Sequence, residues 1–236
     1  TDLMAANLIP DQFKGDNEDY VQWVSDRVWI YEREVPVELS VFKEMEVQEL
    51  VLNGVEGYAT VYWNDERIGQ CDNSFKPFHF NIRDNIRPVN KLRIVFENKG
   101  LVEREKEKLS FPLPGGSRVF TRKPAFHYGW DWGPRLNGVG IGGAKLKAWS
   151  GLKIESSAPV VDSISNDILF GTGVFHLRSA VSGLLHLNVI LDGRKVVSGF
   201  SVKVLPGEQE LRVPFHVKSP RLWWSWDLGT PYRYDV

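Results

Sequence analysis

A single cysteine, Cys71, occurs in 236 residues, so an intrachain disulfide is excluded and the fold must rest on its core. A lone cysteine of this kind is expected to be a small buried hydrophobe rather than a nucleophile. No apolar run approaches the ~18 residues that a membrane-crossing helix needs, so no membrane partner is expected. Charge of either sign is not in excess. Lys and Arg number 29 against 30 Asp and Glu, a net charge of −1, which lacks the basic footprint of a nucleic-acid binder. Asn-x-Ser/Thr is absent, which argues against a glycosylated eukaryotic secreted protein. The expected setting is the periplasm or exterior of a bacterium, although no signal-peptide pattern is visible. There is no phosphate loop and no nucleophile elbow. Gly138-Val139-Gly140-Ile141-Gly142-Gly143 is glycine-rich, but no helical pattern follows it as a dinucleotide site requires. The five histidines, His79, His127, His176, His186 and His216, are scattered without ligand spacing. Neither metal nor organic cofactor is expected.

Aromatics are plentiful, with nine tryptophans and thirteen phenylalanines, and they fall into β-type runs. Val28–Val35, Val47–Leu52, Tyr58–Trp63, Pro77–Ile82 and Lys91–Phe96 read as successive strands. Lys91–Phe96 alternates with period two, so one of its faces should be buried. Asn64-Asp65-Glu66-Arg67 reads as a hairpin turn. Residues 98–110 are the one plausible helix of length. Their Glu103-Arg104-Glu105-Lys106-Glu107-Lys108 run alternates in sign and reads as a solvated face. Residues 111–138 form a long irregular segment, a kind of loop that is usually functional or disordered. A second unit starts near Ser150, and Leu152–Glu155 could close the first sandwich. Leu185–Leu191 followed by Asp192-Gly193 is a strong hairpin signal, with Val196–Leu205 and Leu211–Val217 after it. The reading is all-β, with domains at 1–155 and 156–236. The second has roughly 80 residues where an immunoglobulin-like sandwich needs about 100. It is expected to be cut short, with open edges that favour self-association.

The most specific stretch is His127-Tyr128-Gly129-Trp130-Asp131-Trp132-Gly133-Pro134-Arg135. Two indoles flank one carboxylate, with a glycine at each end and then a proline. The glycines permit sharp turns and the Gly-Pro pair ends any ladder. One reading is a tryptophan-rich plug at the end of a sandwich, with Asp131 capping a turn or paired with Arg122, Lys123 or Arg135. The other is a ligand loop, since apolar ring faces beside an acceptor-only group suit the C–H faces and hydroxyl edges of a sugar.

With those residues in view, the chain resembles the N-terminal portion of the β-mannosidases of glycoside hydrolase family two. Leu8-Ile9-Pro10-Asp11, Gly15-x-Asn17-Glu18 and Gln22-Trp23-Val24 are similar to the family's opening. Leu52-Asn53-Gly54-Val55, Tyr58–Tyr62 and Asp72-Asn73-x-Phe75 are similar to its middle strands. Arg122-Lys123 with Tyr128–Pro134 carries the strongest signature, and Leu222-Trp223-Trp224 with Pro231-Tyr232-x-Tyr234 resembles the late strands of its second domain. The resemblance implies a jelly-roll-like, galactose-binding-domain-like sandwich, then an immunoglobulin-like domain. A (β/α)₈ barrel would follow, carrying both glutamates of a retaining mechanism. It further implies that Trp130, Asp131 and Trp132 reach the sugar pocket, Asp131 accepting hydroxyl hydrogen bonds and the indoles forming walls.

Three departures accompany the resemblance. The chain reads as starting after the family's first strand and ending inside its second domain, and Gly140-Ile141-Gly142 stands where the family has Gly-Ile-Trp. No catalytic residue is therefore assigned here, and the expected partner is a β-mannoside held jointly with the absent barrel. The competing readings are another family-two exo-glycosidase (an exo-β-glucosaminidase or β-galactosidase), a free-standing carbohydrate-binding module, and a structural adhesion domain.

Overall fold

The computed structural model describes residues 2–109, 113–129, 133–135 and 138–236. Trp130, Asp131 and Trp132 lie outside them. The chain divides into two compact units, Thr1–Trp149 and Ser150–Val236.

The first unit is a β-sandwich preceded by short helices, among them α1 (Asp2–Ala5) and α2 (Asn17–Val21). One sheet holds β1 (Trp29–Pro36), β6 (Val89–Phe96), β3 (Ala59–Trp63) and β4 (Glu66–Cys71), in that order. The other is β5 (Phe78–Asn81), β2 (Val47–Glu56) and β7 (Gly140–Trp149). All pairings are antiparallel. The expected period-two pattern of β6 is present: Asn90, Leu92, Ile94 and Phe96 point inward and the residues between them are more exposed. They meet Leu50, Leu52 and Val55 from β2 and Val61 and Trp63 from β3, so side chains of both sheets share one core. Cys71 joins that core, and burial pushes its thiol up to about 12, as a structural cysteine requires.

The β3–β4 hairpin turns at Asn64 and Asp65, whose φ angles of 51° and 68° are those of a primed turn. β7 is a strand where the sequence suggested only glycine-rich chain. Its pairing with β2 depends on small residues: a Cβ on Gly142 would stand 3.3 Å from the carbonyl oxygen of Asn53, opposite Gly54. The helix expected in 98–110 is α4 (Lys99–Lys108), after the short α3 (Leu39–Phe42). The Asn98 side chain caps α4 by accepting from the Leu101 amide at 3.2 Å. One part of that expectation is overturned, since Glu103 is 5% exposed.

The second unit has a three-stranded sheet, β12 (Gly207–Lys218), β9 (Ile168–Ser179) and β8 (Leu152–Ser165), and a two-stranded one, β10 (Gly183–Leu191) with β11 (Arg194–Val204). Phe175, Leu177, Leu187, Val189, Val204 and Val213 pack between them. Leu152–Glu155, expected to close the first sandwich, instead begins β8 and pairs along β9. The Asp192-Gly193 hairpin is present, with φ angles of 46° and 74°. The closing segment is tied to it. Tyr232 donates to the Asp192 carboxylate, and the Asp235 amide donates to the same group at 2.9 Å.

Candidate functional site

The residues on either side of 130–132 are fastened to the first sandwich by charged side chains drawn from distant parts of the sequence. On the upstream side, α4 presents Glu103 inward. Its carboxylate accepts from the Thr121 hydroxyl at 2.7 Å and from the Tyr128 hydroxyl. Lys99, one turn earlier on the same helix, places its ammonium 3.6 Å from that carboxylate and 4.1 Å from the centre of the Tyr128 ring. Burial holds the Lys99 ammonium down at about 8, partly offset by the charge of Glu103. Burial, reinforced by the hydrogen bond to Glu103, raises the Tyr128 phenol, so it stays protonated and donates. Tyr58, at the edge of β3, is 3.0 Å from the Thr121 hydroxyl and extends the network into the core.

A second tie forms at the end of β2. Glu56 lies 3.2 Å from His127 Nε2 and 3.7 Å from Lys123 Nζ. The hydrogen bond to His127 holds the Glu56 carboxyl below the ordinary glutamate range, with Lys123 adding to the effect. The Lys123 side chain is fully buried and also donates to the carbonyl of Gly138, so it ties the middle of the irregular segment to its end. Burial lowers its ammonium while Glu56 and Glu103 oppose the shift.

Downstream, Arg135 is held by the N-terminal helices. Its amide donates to Glu18 at 2.6 Å and its Nε to Gln22 at 2.7 Å, and the Gln22 amide group donates back to the Arg135 carbonyl at 3.0 Å. The tryptophan-rich segment thus has charged ties on both sides. The cations considered as partners for Asp131 have other roles on view: Arg122 stacks on Phe75, Lys123 meets Glu56, and Arg135 meets Gln22.

Beside these ties an open groove of about 1410 Å³ runs along the first unit. Its walls include Phe13, Trp29, Phe126 and Ile141, with Glu56 and His127 among the polar groups. Among the described residues no group of three His, Cys, Asp or Glu could hold a metal ion. No helix among them is long and apolar enough to cross a membrane. Of the sequence-named site residues, Trp130, Asp131 and Trp132 fall outside the description. Glu103, Tyr128, Glu56 and Glu18 were missed because, the neighbouring Lys99 aside, their partners lie 18 to 117 residues away.

Comparison with known proteins places this site in context. Residues 1–143 match the family described as glycosyl hydrolase 2 galactose-binding domain-like. Beta-mannosidase B of Thermothelomyces thermophilus is 26% identical over 254 residues, covering 100% of this chain and 28% of that protein. The crystal structure of a β-D-mannosidase from Dictyoglomus thermophilum superposes with a TM-score of 0.80 at 30% identity, over 94% of this chain and 28% of that one. An exo-chitosanase from Amycolatopsis orientalis shares the fold, with a TM-score of 0.65 at 17% identity, over 99% of this chain and 26% of that one. The chain therefore spans little more than a quarter of the length of each of these relatives.

Proposed function

The chain belongs to the glycosyl hydrolase 2 galactose-binding-domain-like family, and from that membership we propose that it is the non-catalytic, substrate-positioning part of a β-mannosidase. The complete protein would release terminal β-D-mannose by a retaining mechanism. The two carboxylates of such a mechanism belong to a barrel beyond this region, and the chain alone is inactive. The first unit contributes Trp130, Asp131 and Trp132 to the sugar pocket, Asp131 as hydroxyl acceptor and the indoles as walls. The second unit is immunoglobulin-like. The observation that carries this reading is the fastening of Tyr128 and Arg135 on either side of the segment, by Glu103 on one side and by Glu18 and Gln22 on the other. Holding a binding group within about 0.5 Å of its working position calls for support of this kind.

The test is Asp131→Ala in the complete polypeptide. Loss of a charge-assisted hydrogen bond contributes on the order of 1.5–3 kcal/mol, so kcat/KM for an aryl β-mannoside should fall roughly ten- to a hundred-fold. If Asp131 serves the substrate and not the fold, the melting temperature should stay within about a degree or two. A lowered melting temperature with unaltered efficiency would assign Asp131 to the fold and end the substrate role.

A further inference from the structure

A buried carboxylate on a helix whose sequence reads as a solvated charge run calls for an explanation. Burying Glu103 with Lys99 costs desolvation that a surface helix would avoid, and well-packed apolar residues are often as stabilising as a buried ion pair. What Glu103 does that a leucine could not is accept two hydroxyl hydrogen bonds at once, from Thr121 and Tyr128. Those residues are the two ends of an eight-residue stretch of chain that includes Lys123 and His127, both held by Glu56. Gly129, with a φ of 85°, follows at once, and a Cβ there would stand 3.5 Å from Arg135 Cβ. Gly129 and Arg135 thus lie side by side.

We propose that Glu103 is a positioning residue: through the Tyr128 hydroxyl it fixes the point from which the chain enters the proposed sugar-binding segment. The inference rests on the reading that 130–132 meets the substrate, and it deepens that reading by assigning a residue that touches no sugar itself. Lys99 serves as the counter-charge, its ammonium 3.6 Å from the Glu103 carboxylate and 4.1 Å from the centre of the Tyr128 ring.

Tyr128→Phe isolates the effect, because it deletes one hydroxyl and keeps the ring under Lys99. Glu103→Gln is its companion, keeping an acceptor oxygen and removing the charge. Glu105→Gln, on the exposed side of α4 and paired with Lys108, is the control. The first measurement needs no activity. The indole N–H resonances of Trp130 and Trp132, identified through Trp→Phe variants, are followed by NMR in this chain. Trp63, whose indole donates to the Asn85 carbonyl at 3.0 Å, serves as the internal reference. Tyr128→Phe should move the Trp130 and Trp132 signals and leave that of Trp63 in place, with Glu103→Gln giving a smaller displacement. If the signals of Trp130 and Trp132 stay where they are, or if Trp63 moves as far as they do, the positioning role is overturned. The second measurement is made in the complete polypeptide, where Tyr128→Phe should raise KM for an aryl β-mannoside about five-fold with little change in kcat. Moved indoles with an unchanged KM would uphold the positioning of the segment and overturn the proposed sugar contact instead.

Discussion

Lys99 carries the sharpest consequence at the scale of single residues. Its ammonium is held down at about 8 by burial, against an ordinary value of 10.5 in the unfolded chain. Between those two values the unfolded chain retains a proton that the folded one has released, so stability contributed by this group rises with pH across that window. Below it both states are protonated and the contribution is constant. The difference in unfolding free energy between the wild type and Lys99→Met should therefore grow in favour of the wild type from about pH 8 to about pH 10. Denaturant melts at a series of pH values measure it, and a flat or falling difference would contradict the assignment. Glu103 and Glu56 show the limit of reading residues singly. Each looks in the sequence like any other surface carboxylate, and only its distant partners mark it out.

At the scale of elements, the β3–β4 hairpin is held by more than its turn type. Asn64 donates to the Asn85 carbonyl at 2.6 Å and to the Asn90 side chain at 3.0 Å, and accepts from the Lys91 amide at 2.9 Å. One turn residue thus joins β3, β6 and the chain between them. Asn64→Ala should destabilise the first unit by about 1–3 kcal/mol, since it removes three hydrogen bonds and places a less tolerant residue at positive φ. Asn64→Gly keeps the φ and loses the bonds, so a cost close to that of alanine would attribute the loss to the hydrogen bonds, as expected here. A cost near zero for both in chemical denaturation would refute the argument. The hairpin itself was legible, because Asn and Asp in sequence between β-formers favour φ above zero. β7 was not: four glycines in Gly140–Trp149 and its flank weaken every strand signal, and the strand forms because β2 accepts a close backbone approach.

For the whole molecule, two separate hydrophobic clusters dominate, one built on Leu52, Val61 and Trp63 and the other on Phe175, Leu177 and Val213. Each unit has a core of its own and should unfold as its own cooperative step. Calorimetry is expected to resolve two transitions, with Leu52→Ala lowering one and Val213→Ala the other, by about 2–5 kcal/mol for the leucine and less for the smaller valine. A single transition displaced equally by both substitutions would show that the units unfold together. Trp63 is fully buried whereas Trp226 is 86% exposed, so fluorescence of the first unit should red-shift on melting while the second changes less.

Local pattern determined much of this protein. Period-two alternation specified β6, paired turn residues specified the hairpins at Asn64 and Asp192, and the bracketed Trp-Asp-Trp stretch singled out the segment on which the proposed function turns. These features are legible because they act through the φ, ψ and facing of neighbouring residues, which the order of residues states directly. Tertiary structure alone decided that Leu152–Glu155 starts the second unit's β8 and that Gly140–Trp149 joins β2. It alone chose Glu103 from an alternating run of charges to be buried against Lys99, Thr121 and Tyr128. Whether a charge can leave water depends on which partners converge on it, and here Thr121 and Tyr128 arrive from a separate place along the chain. No window of sequence contains that information.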